Sequence, residues 1–433
     1  MAIKSPEGMN DFLPDQALAW NHFQQTAQRV FGTYGYQLVY TPVMELTELF
    51  VRGIGEATDV VSKEMFAAYS GGNLKTLLEG GKVRSNSTFS LRPEGTAGVV
   101  RAAVEHNLVP QGAAPVKLLY AGPMFRAERV QKGRLRQFHQ VGVECLGAEE
   151  PTVDAEAIIM LMRFYEEIGI PAQSTTLLIN SMGCEACRPA YREAVKAYMD
   201  AHADGLCETC RTRAEINPLR AFDCKNEDCA HTMEGAPHIT DHLCPACQEH
   251  YTAVKAYLDA AGVAYQEDYR LVRGLDYYTR TVFEVQASDG LGSQNAIGGG
   301  GRYDKLAEEV GGRPTPGLGF AIGYERCQLV MDAAGVPAPH ATGCDVFVAT
   351  VDPSLRAQAF AVLQQCRNAG VRADMDHQGR SLKSQFKLAD KLGARSVVVL
   401  GPEEVAAGSV KLRNMETHDE QLVPVDGVVA ALS

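Results

Sequence analysis

Residues 268–287 read DYRLVRGLDYYTRTVFEVQA, and residues 296–304 read AIGGGGRYD. The first stretch alternates apolar and polar side chains, the pattern of two sheet strands whose successive residues face opposite sides. The second carries four consecutive glycines, a density that in a strand marks close approach by another backbone or a ligand. The two predict an antiparallel sheet. Upstream, Ala17, Trp20, Phe23, Ala27, Val30 and Phe31 recur at helical spacing across 16–34, and the β-branched and aromatic run 36–40 predicts a strand ended by Thr41-Pro42. Residues 67–88, rich in Gly, Ser and Asn, read as a surface loop or hairpin, and 154–168 read as a helix closed by Gly169. Beyond a linker at 333–343 the order changes. The short apolar strands DVFVAT, VRADMD and SVVVLG alternate with helices at 353–368 and 381–392, which predicts a small parallel or mixed sheet. Two architectures share the chain.

With 433 residues and 45% hydrophobic residues, the chain can build cores for roughly two to four domains, which excludes disorder. No run approaches the roughly 18 apolar residues of a membrane helix, and the N-terminus has no signal-like segment, so a soluble, cytoplasmic protein without membrane contact is expected. A net charge of -12 gives no global attraction to nucleic acid, so any such contact must be local. Eight of the twelve cysteines lie between Cys184 and Cys247. In a reducing compartment they read as metal ligands or packed thiols rather than disulfides.

The densest chemical signal is Phe125-Arg126-Ala127-Glu128-Arg129, continued by Gln131 to Gln140. Five cations against one carboxylate between Arg126 and Arg136 suit a triphosphate or a nucleic-acid backbone, or make a solvated basic hairpin. In Leu91-Arg92-Pro93-Glu94-Gly95-Thr96, a carboxylate and a hydroxyl on a tight turn could bind an ammonium group or cap the following helix. Arg273-Gly274-Leu275-Asp276-Tyr277-Tyr278 puts a cation, a carboxylate and two phenols on an expected strand. Gly317 to Arg326 reads as a glycine-spaced strand entering a helix that begins Glu-Arg, without the ending of a P-loop.

In this order the segments resemble the class II aminoacyl-tRNA synthetases. Pro42-Val43-Met44-Glu45, Arg52 to Glu56 and Lys63-Glu64-Met65 resemble motif 1, Phe125 to Gln140 motif 2, and Gly317 to Arg326 motif 3. LVRGLDYYTRTVFE and GGGRYD are similar to the signature peptides of the histidyl-tRNA synthetase family. The resemblance implies an α+β fold: an antiparallel catalytic sheet flanked by helices (1–335), with an inserted, Cys-rich helical subdomain (184–265). A linker (336–344) and an α/β anticodon-binding domain (345–433) follow. It also implies a homodimer built on motif 1, with L-histidine, ATP accompanied by magnesium, and the histidine tRNA as substrates. The protein would join histidine to that tRNA through an adenylate.

By resemblance, Arg126 and Arg273 are catalytic, and Arg126, Glu128, Phe138 and Arg326 bind ATP. Glu94, Thr96 and Gln140 hold the substrate ammonium, while Glu144 and Tyr278 recognise the imidazole. Tyr277, Arg126 and Arg273 complete the histidine site. A carboxylate and a phenol can satisfy both ring nitrogens, so an isostere lacking them would leave buried polar groups unpaired. Arg129, Gln131 and Arg136 would meet the tRNA acceptor end, and Arg380, Lys383, Lys387, Lys391 and Arg395 offer a further local positive surface. Inactive paralogues that bind a phosphoribosyltransferase lack the signature arginine and the last domain, both present here. A zinc-dependent nucleic-acid module without activity is disfavoured by the intact ATP motifs. Three departures stand out: the long 67–88 stretch, Ala127 and Val130 in place of His and Pro, and the cysteines. Cys184/Cys187, Cys207/Cys210, Cys224/Cys229 and Cys244/Cys247 are not general in the family, and structural zinc or simple packing are both open for them.

Overall fold

The computed structural model describes residues 2–56, 58–224, 226–272, 275, 277–292, 295–339 and 343–432. They form two compact units, Met1–Ala338 and Pro339–Ser433.

The first unit is built on a large sheet. Among the described residues its strands run, edge to edge, Gln37–Leu38, Val116–Phe125, Gln137–Leu146, Gly317–Gly323, Ala296–Arg302, Thr279–Ala287, Thr175–Ser181 and Gln266–Glu267. The inner pairings are antiparallel, and only the outermost two are parallel. The period of two divides each strand. Val141, Val143 and Cys145, with Leu318, Phe320 and Ile322, turn to a core shared with the helices Pro14–Gly32, Pro151–Glu167, Pro245–Ala260 and Tyr324–Ala333. Phe138, Gln140, Gly142 and Glu144 therefore face the opposite side, where the site lies.

Several expectations need correction. The stretch 67–88 is not simply loop: Gly71–Leu78 is a helix whose Ser70 Oγ accepts the Asn73 N–H. Leu74, Leu77 and Leu78 do recur at helical spacing, but the run is a short one set among Gly, Ser and Asn, and none of its residues is buried. The 36–40 strand shortens to two residues. The 268–287 pair is Gln266–Glu267 and Thr279–Ala287, so Tyr277 and Tyr278 precede the strand instead of lying in it. His250, on the helix Pro245–Ala260, is buried: its Nε2 meets Asp154 Oδ1 at 3.1 Å, and Asp154 also pairs with the fully buried Arg302.

The insertion consists of short helices, Arg188–Ala201, Glu208–Ile216 and Glu227–Met233, around their own apolar cluster. The second unit has a five-stranded mixed sheet in the order Ala373–Met375, Val346–Thr350, Ser396–Leu400, Ser409–Asn414, Glu420–Pro424. Its first three strands are parallel and the last two antiparallel, a hairpin that the sequence reading missed. On its helix Leu382–Lys391, Lys383, Lys387 and Lys391 are exposed at four-residue spacing, whereas Arg380 and Arg395 pair with Asp376 and Asp345.

Candidate active site

The floor of the site begins at the turn 91–96. The Glu94 carboxylate accepts the N–H groups of Thr96 (2.7 Å) and Ala97 (2.9 Å), the first residues of the helix Thr96–Glu105. The capping alternative for this turn is thus realised. Burial pushes the Glu94 carboxyl up in pKa, and these two amides pull it back. The Thr96 hydroxyl donates to Glu144 Oε1 at 2.7 Å, and the Pro93 carbonyl accepts from Arg126 Nε at 3.0 Å. Arg92 is structural: it donates to the carbonyls of Pro123 and Thr41.

The hairpin Val116–Phe125 and Gln137–Leu146 supplies one wall. Just beyond the first strand, the Arg126 guanidinium carbon lies 5.3 Å from the centre of the Phe138 ring. At the hairpin tip Gln131 and Arg134 exchange backbone hydrogen bonds, and Gly133 takes φ +73°, which a side chain would resist. This tight turn sends Arg134 inward, 2.7 Å from Glu128 Oε2, while Arg129 and Gln131 stay exposed outside. Arg136 bonds the Glu128 carbonyl. Gln140 Oε1 is buried in the wall without a hydrogen-bond partner among the described residues.

Below the cavity Glu144 is fully buried, with Oε1 on Thr96 and Oε2 taken by the Tyr303 hydroxyl. Desolvation, only partly offset by these hydroxyls, raises its carboxyl to about 8. Glu144 stands opposite Gly319 in the ladder, and a Cβ at Gly319 would overlap its Oε2. The glycine spacing of 317–323 thus makes room for a carboxylate. Tyr277 packs 4.7 Å from Tyr278 and 5.6 Å from Tyr303, ring centre to ring centre.

At the opposite end the helix Tyr324–Ala333 begins. Glu325 accepts the backbone N–H of His139, and Arg326 donates to the carbonyls of Gly133 and Ala296, each at 2.8 Å. Burial, and the neighbouring cations Arg134 and Arg126, lower the Arg326 pKa. One cavity of about 240 Å³ is lined by Glu94, Thr96, Arg126, Glu128, Phe138, Gln140, Tyr277, Tyr278 and Arg326. Glu144 lies beneath it and Arg129, Gln131 and Arg136 outside. Arg273 lies outside the described residues. Four charged or phenolic lining residues were given no role from sequence: Arg134, Glu284, Tyr303 and Glu325. All four lie inside the motif stretches quoted from the sequence, Arg134 in 125–140, Glu284 in LVRGLDYYTRTVFE, Tyr303 in GGGRYD and Glu325 in 317–326, but nothing in the linear order set them apart from their neighbours there.

The insertion brings its cysteines into two tetrads, Cys184, Cys187, Cys244 and Cys247, and Cys207, Cys210, Cys224 and Cys229. Within each, all ligand atoms lie within 4.8 Å of one another. The tetrads are nested in the chain, the second enclosed by the first.

A cavity on one face of a largely antiparallel sheet, lined by Arg126 and Arg134 from one hairpin and by Arg326 from the start of a helix, fits a class II aminoacyl-tRNA synthetase. A family profile described as Histidyl-tRNA synthetase matches residues 8–327, and one described as Anticodon binding domain matches 345–433. The histidine–tRNA ligase of Desulforamulus reducens is 47% identical over 431 residues, covering 99% of this chain and 98% of that protein. That of Anaeromyxobacter dehalogenans is 46% identical over the full length of both. The crystal structure of apo histidyl-tRNA synthetase from S. aureus superposes with a TM-score of 0.81 at 34% identity, covering both chains completely. The chain belongs to the histidyl-tRNA synthetase family.

Proposed function

We propose that this protein activates L-histidine with ATP and transfers the histidyl group to the 3′ end of the histidine tRNA. The observation that carries the reading is the convergence of Arg126, Arg134 and Arg326 on one cavity whose far end holds Tyr277, Tyr278 and, beneath them, Tyr303 and Glu144. The histidine carboxylate attacks the α-phosphate and pyrophosphate leaves, so the substrate is its own nucleophile. The protein must bring two anions together and stabilise the charge that develops on phosphorus.

In this reading Arg126 clamps the α-phosphate and the substrate carboxylate, and Arg326 with Arg134 takes the outer phosphates, guanidinium forks matching phosphate oxygens. Phe138 stacks on the adenine and Glu128 accepts from its amino group. Arg273 supplies charge at the α-phosphate. Magnesium accompanies the triphosphate and screens its charge. Glu284 on the cavity wall is an oxygen ligand of the kind that ion takes.

The α-ammonium is held by Glu94, Thr96 and the partnerless Oε1 of Gln140. The imidazole is selected by Tyr278 and by the Glu144–Tyr303 pair, in which the Tyr303 hydroxyl donates to the Glu144 carboxyl. Arg129, Gln131 and Arg136 meet the acceptor end, and the 345–433 unit reads the anticodon. Leu38, Tyr40, Val43, Met44 and Leu46 are exposed apolar side chains in and beside the start of the motif 1 run, which supports a homodimer formed there. The two cysteine tetrads suit structural zinc. No helix of the described residues is long and apolar enough to cross a membrane, which fits a cytoplasmic enzyme.

The test is exchange of labelled pyrophosphate into ATP with each of the twenty amino acids. Exchange with histidine alone is expected, and its loss in Arg273→Ala with the fold retained; stimulation by another amino acid instead would overturn the reading.

A further inference from the structure

Cys184 and Cys187 follow the Thr175–Ser181 strand, and Cys244 and Cys247 open the Pro245–Ala260 helix. Their sulfurs are spaced 3.7 Å (Cys184 to Cys187), 3.7 Å (Cys184 to Cys244) and 3.9 Å (Cys187 to Cys247). A tetrahedral zinc with bonds of about 2.3 Å has sulfur–sulfur edges of about 3.8 Å. In the second tetrad Cys207 and Cys224 are 3.9 Å apart. Each tetrad also has a backbone N–H donated to a sulfur, Cys184 to Cys187 Sγ and Cys207 to Cys229 Sγ, both at 3.1 Å. Amides aimed at sulfur favour the thiolate form that a metal requires. The insertion's own core is small, so a cross-link between distant segments has much to stabilise there.

The tetrads differ in what they touch. The second joins Glu208–Ile216 to Glu227–Met233 inside the insertion. The first grips the histidine end of the cavity. Arg188, the residue after Cys187, donates from Nη2 to the Tyr278 carbonyl and from Nε to the Met182 carbonyl at 3.2 Å. Backbone bonds Met182 to Arg280 and Arg280 to Gly183 fasten the same two segments. Between the cysteines, Glu185 lies 3.6 Å from Lys305, two residues past Tyr303.

We propose that both tetrads hold structural zinc, and that the ion at Cys184, Cys187, Cys244 and Cys247 also sets the histidine pocket by fixing Arg188 against the backbone of Tyr278. Arg188 is then a positioning residue. The coupling rests on Tyr278 being a histidine contact, as proposed above.

The test uses the full chain expressed with added zinc and purified without chelator. Elemental analysis should find two zinc ions per chain, and one in either Cys184→Ser/Cys247→Ser or Cys207→Ser/Cys229→Ser. In pyrophosphate exchange the first double variant should raise the histidine KM about tenfold, the scale of one lost charge-assisted hydrogen bond, with the ATP KM changed less than about twofold. The second should leave both KM values within about twofold. Arg188→Ala should keep two zinc ions and raise the histidine KM about tenfold, and Arg188→Lys should recover part of the loss.

A wild-type chain free of zinc, or holding disulfides in these positions, overturns the metal assignment. Two zinc ions with an unchanged histidine KM in Arg188→Ala overturn the coupling, and that variant decides alone if the first double variant does not fold. Failure of the wild type to exchange with histidine would strike the functional reading instead, and leave the zinc count standing.

Discussion

Glu325 holds His139 from two directions: both carboxylate oxygens accept its backbone N–H at 3.0 Å, and Oε1 lies 2.9 Å from its ring Nδ1. The first turn of one helix thereby fixes the strand that carries Phe138 and Gln140 on either side. Phe12 and Trp20 pack on the same imidazole at 4.5 and 5.1 Å, so the N-terminal helix braces the clamp from behind.

Glu325→Ala should therefore lower kcat/KM for pyrophosphate exchange about tenfold to a hundredfold, because small misplacements of binding groups are costly in rate. Glu325→Gln retains an accepting oxygen and should lose less. Steady-state exchange kinetics of the two variants decide the point. Equal, wild-type values in both would remove the clamp from the mechanism.

Arg126 combines a stacked position on Phe138 with a bond to the Pro93 carbonyl. Lysine keeps the charge and loses both the planar stacking and the fork. Arg126→Lys should cut exchange kcat by about 10²–10³ while thermal unfolding shifts little. A kcat within a few-fold of wild type would show that charge alone suffices.

The Glu144 carboxyl, raised to about 8 by desolvation, makes stability fall as pH rises. Above the ordinary value near 4.5 the unfolded chain releases this proton, whereas the folded chain keeps it until about 8. The unfolded state is thus favoured by up to about 1.4 kcal/mol per pH unit through that window. Below it the contribution of Glu144 is fully present. In Glu144→Gln the slope should flatten relative to wild type, as read from urea midpoints between pH 5 and 8. Parallel curves would mean that Glu144 ionises at its ordinary pH.

Gly319→Ala places a methyl group on Glu144 Oε2 and on the Val143 carbonyl, in a ladder that has no slack. A loss of about 1–3 kcal/mol, measured by denaturant unfolding, is expected together with weakened histidine binding. Ala at Gly323, which has open space around it, serves as the neutral comparison for stability.

The sequence alone established the sheet alternation within 268–287, the glycine-spaced strand with Glu-Arg at the following helix start, and the βαβαβ order of the last unit. Each is a periodicity or a spacing, and periodicity is what a linear chain carries. It did not distinguish Arg134 from Arg136, because a two-residue turn at the hairpin tip decides which of them points inward. It left Glu94 open between cap and ligand, since the helix that it caps begins only where the chain folds back. Nor did it pair the cysteines. Cys-x-x-Cys marks one edge of a tetrahedron, but the opposite edge comes from a segment 60 residues away that only packing brings near. The burial that raises Glu144 is likewise a property of the assembled sheet. A carboxylate's environment is made by neighbours distant in sequence, so only the tertiary structure could fix it.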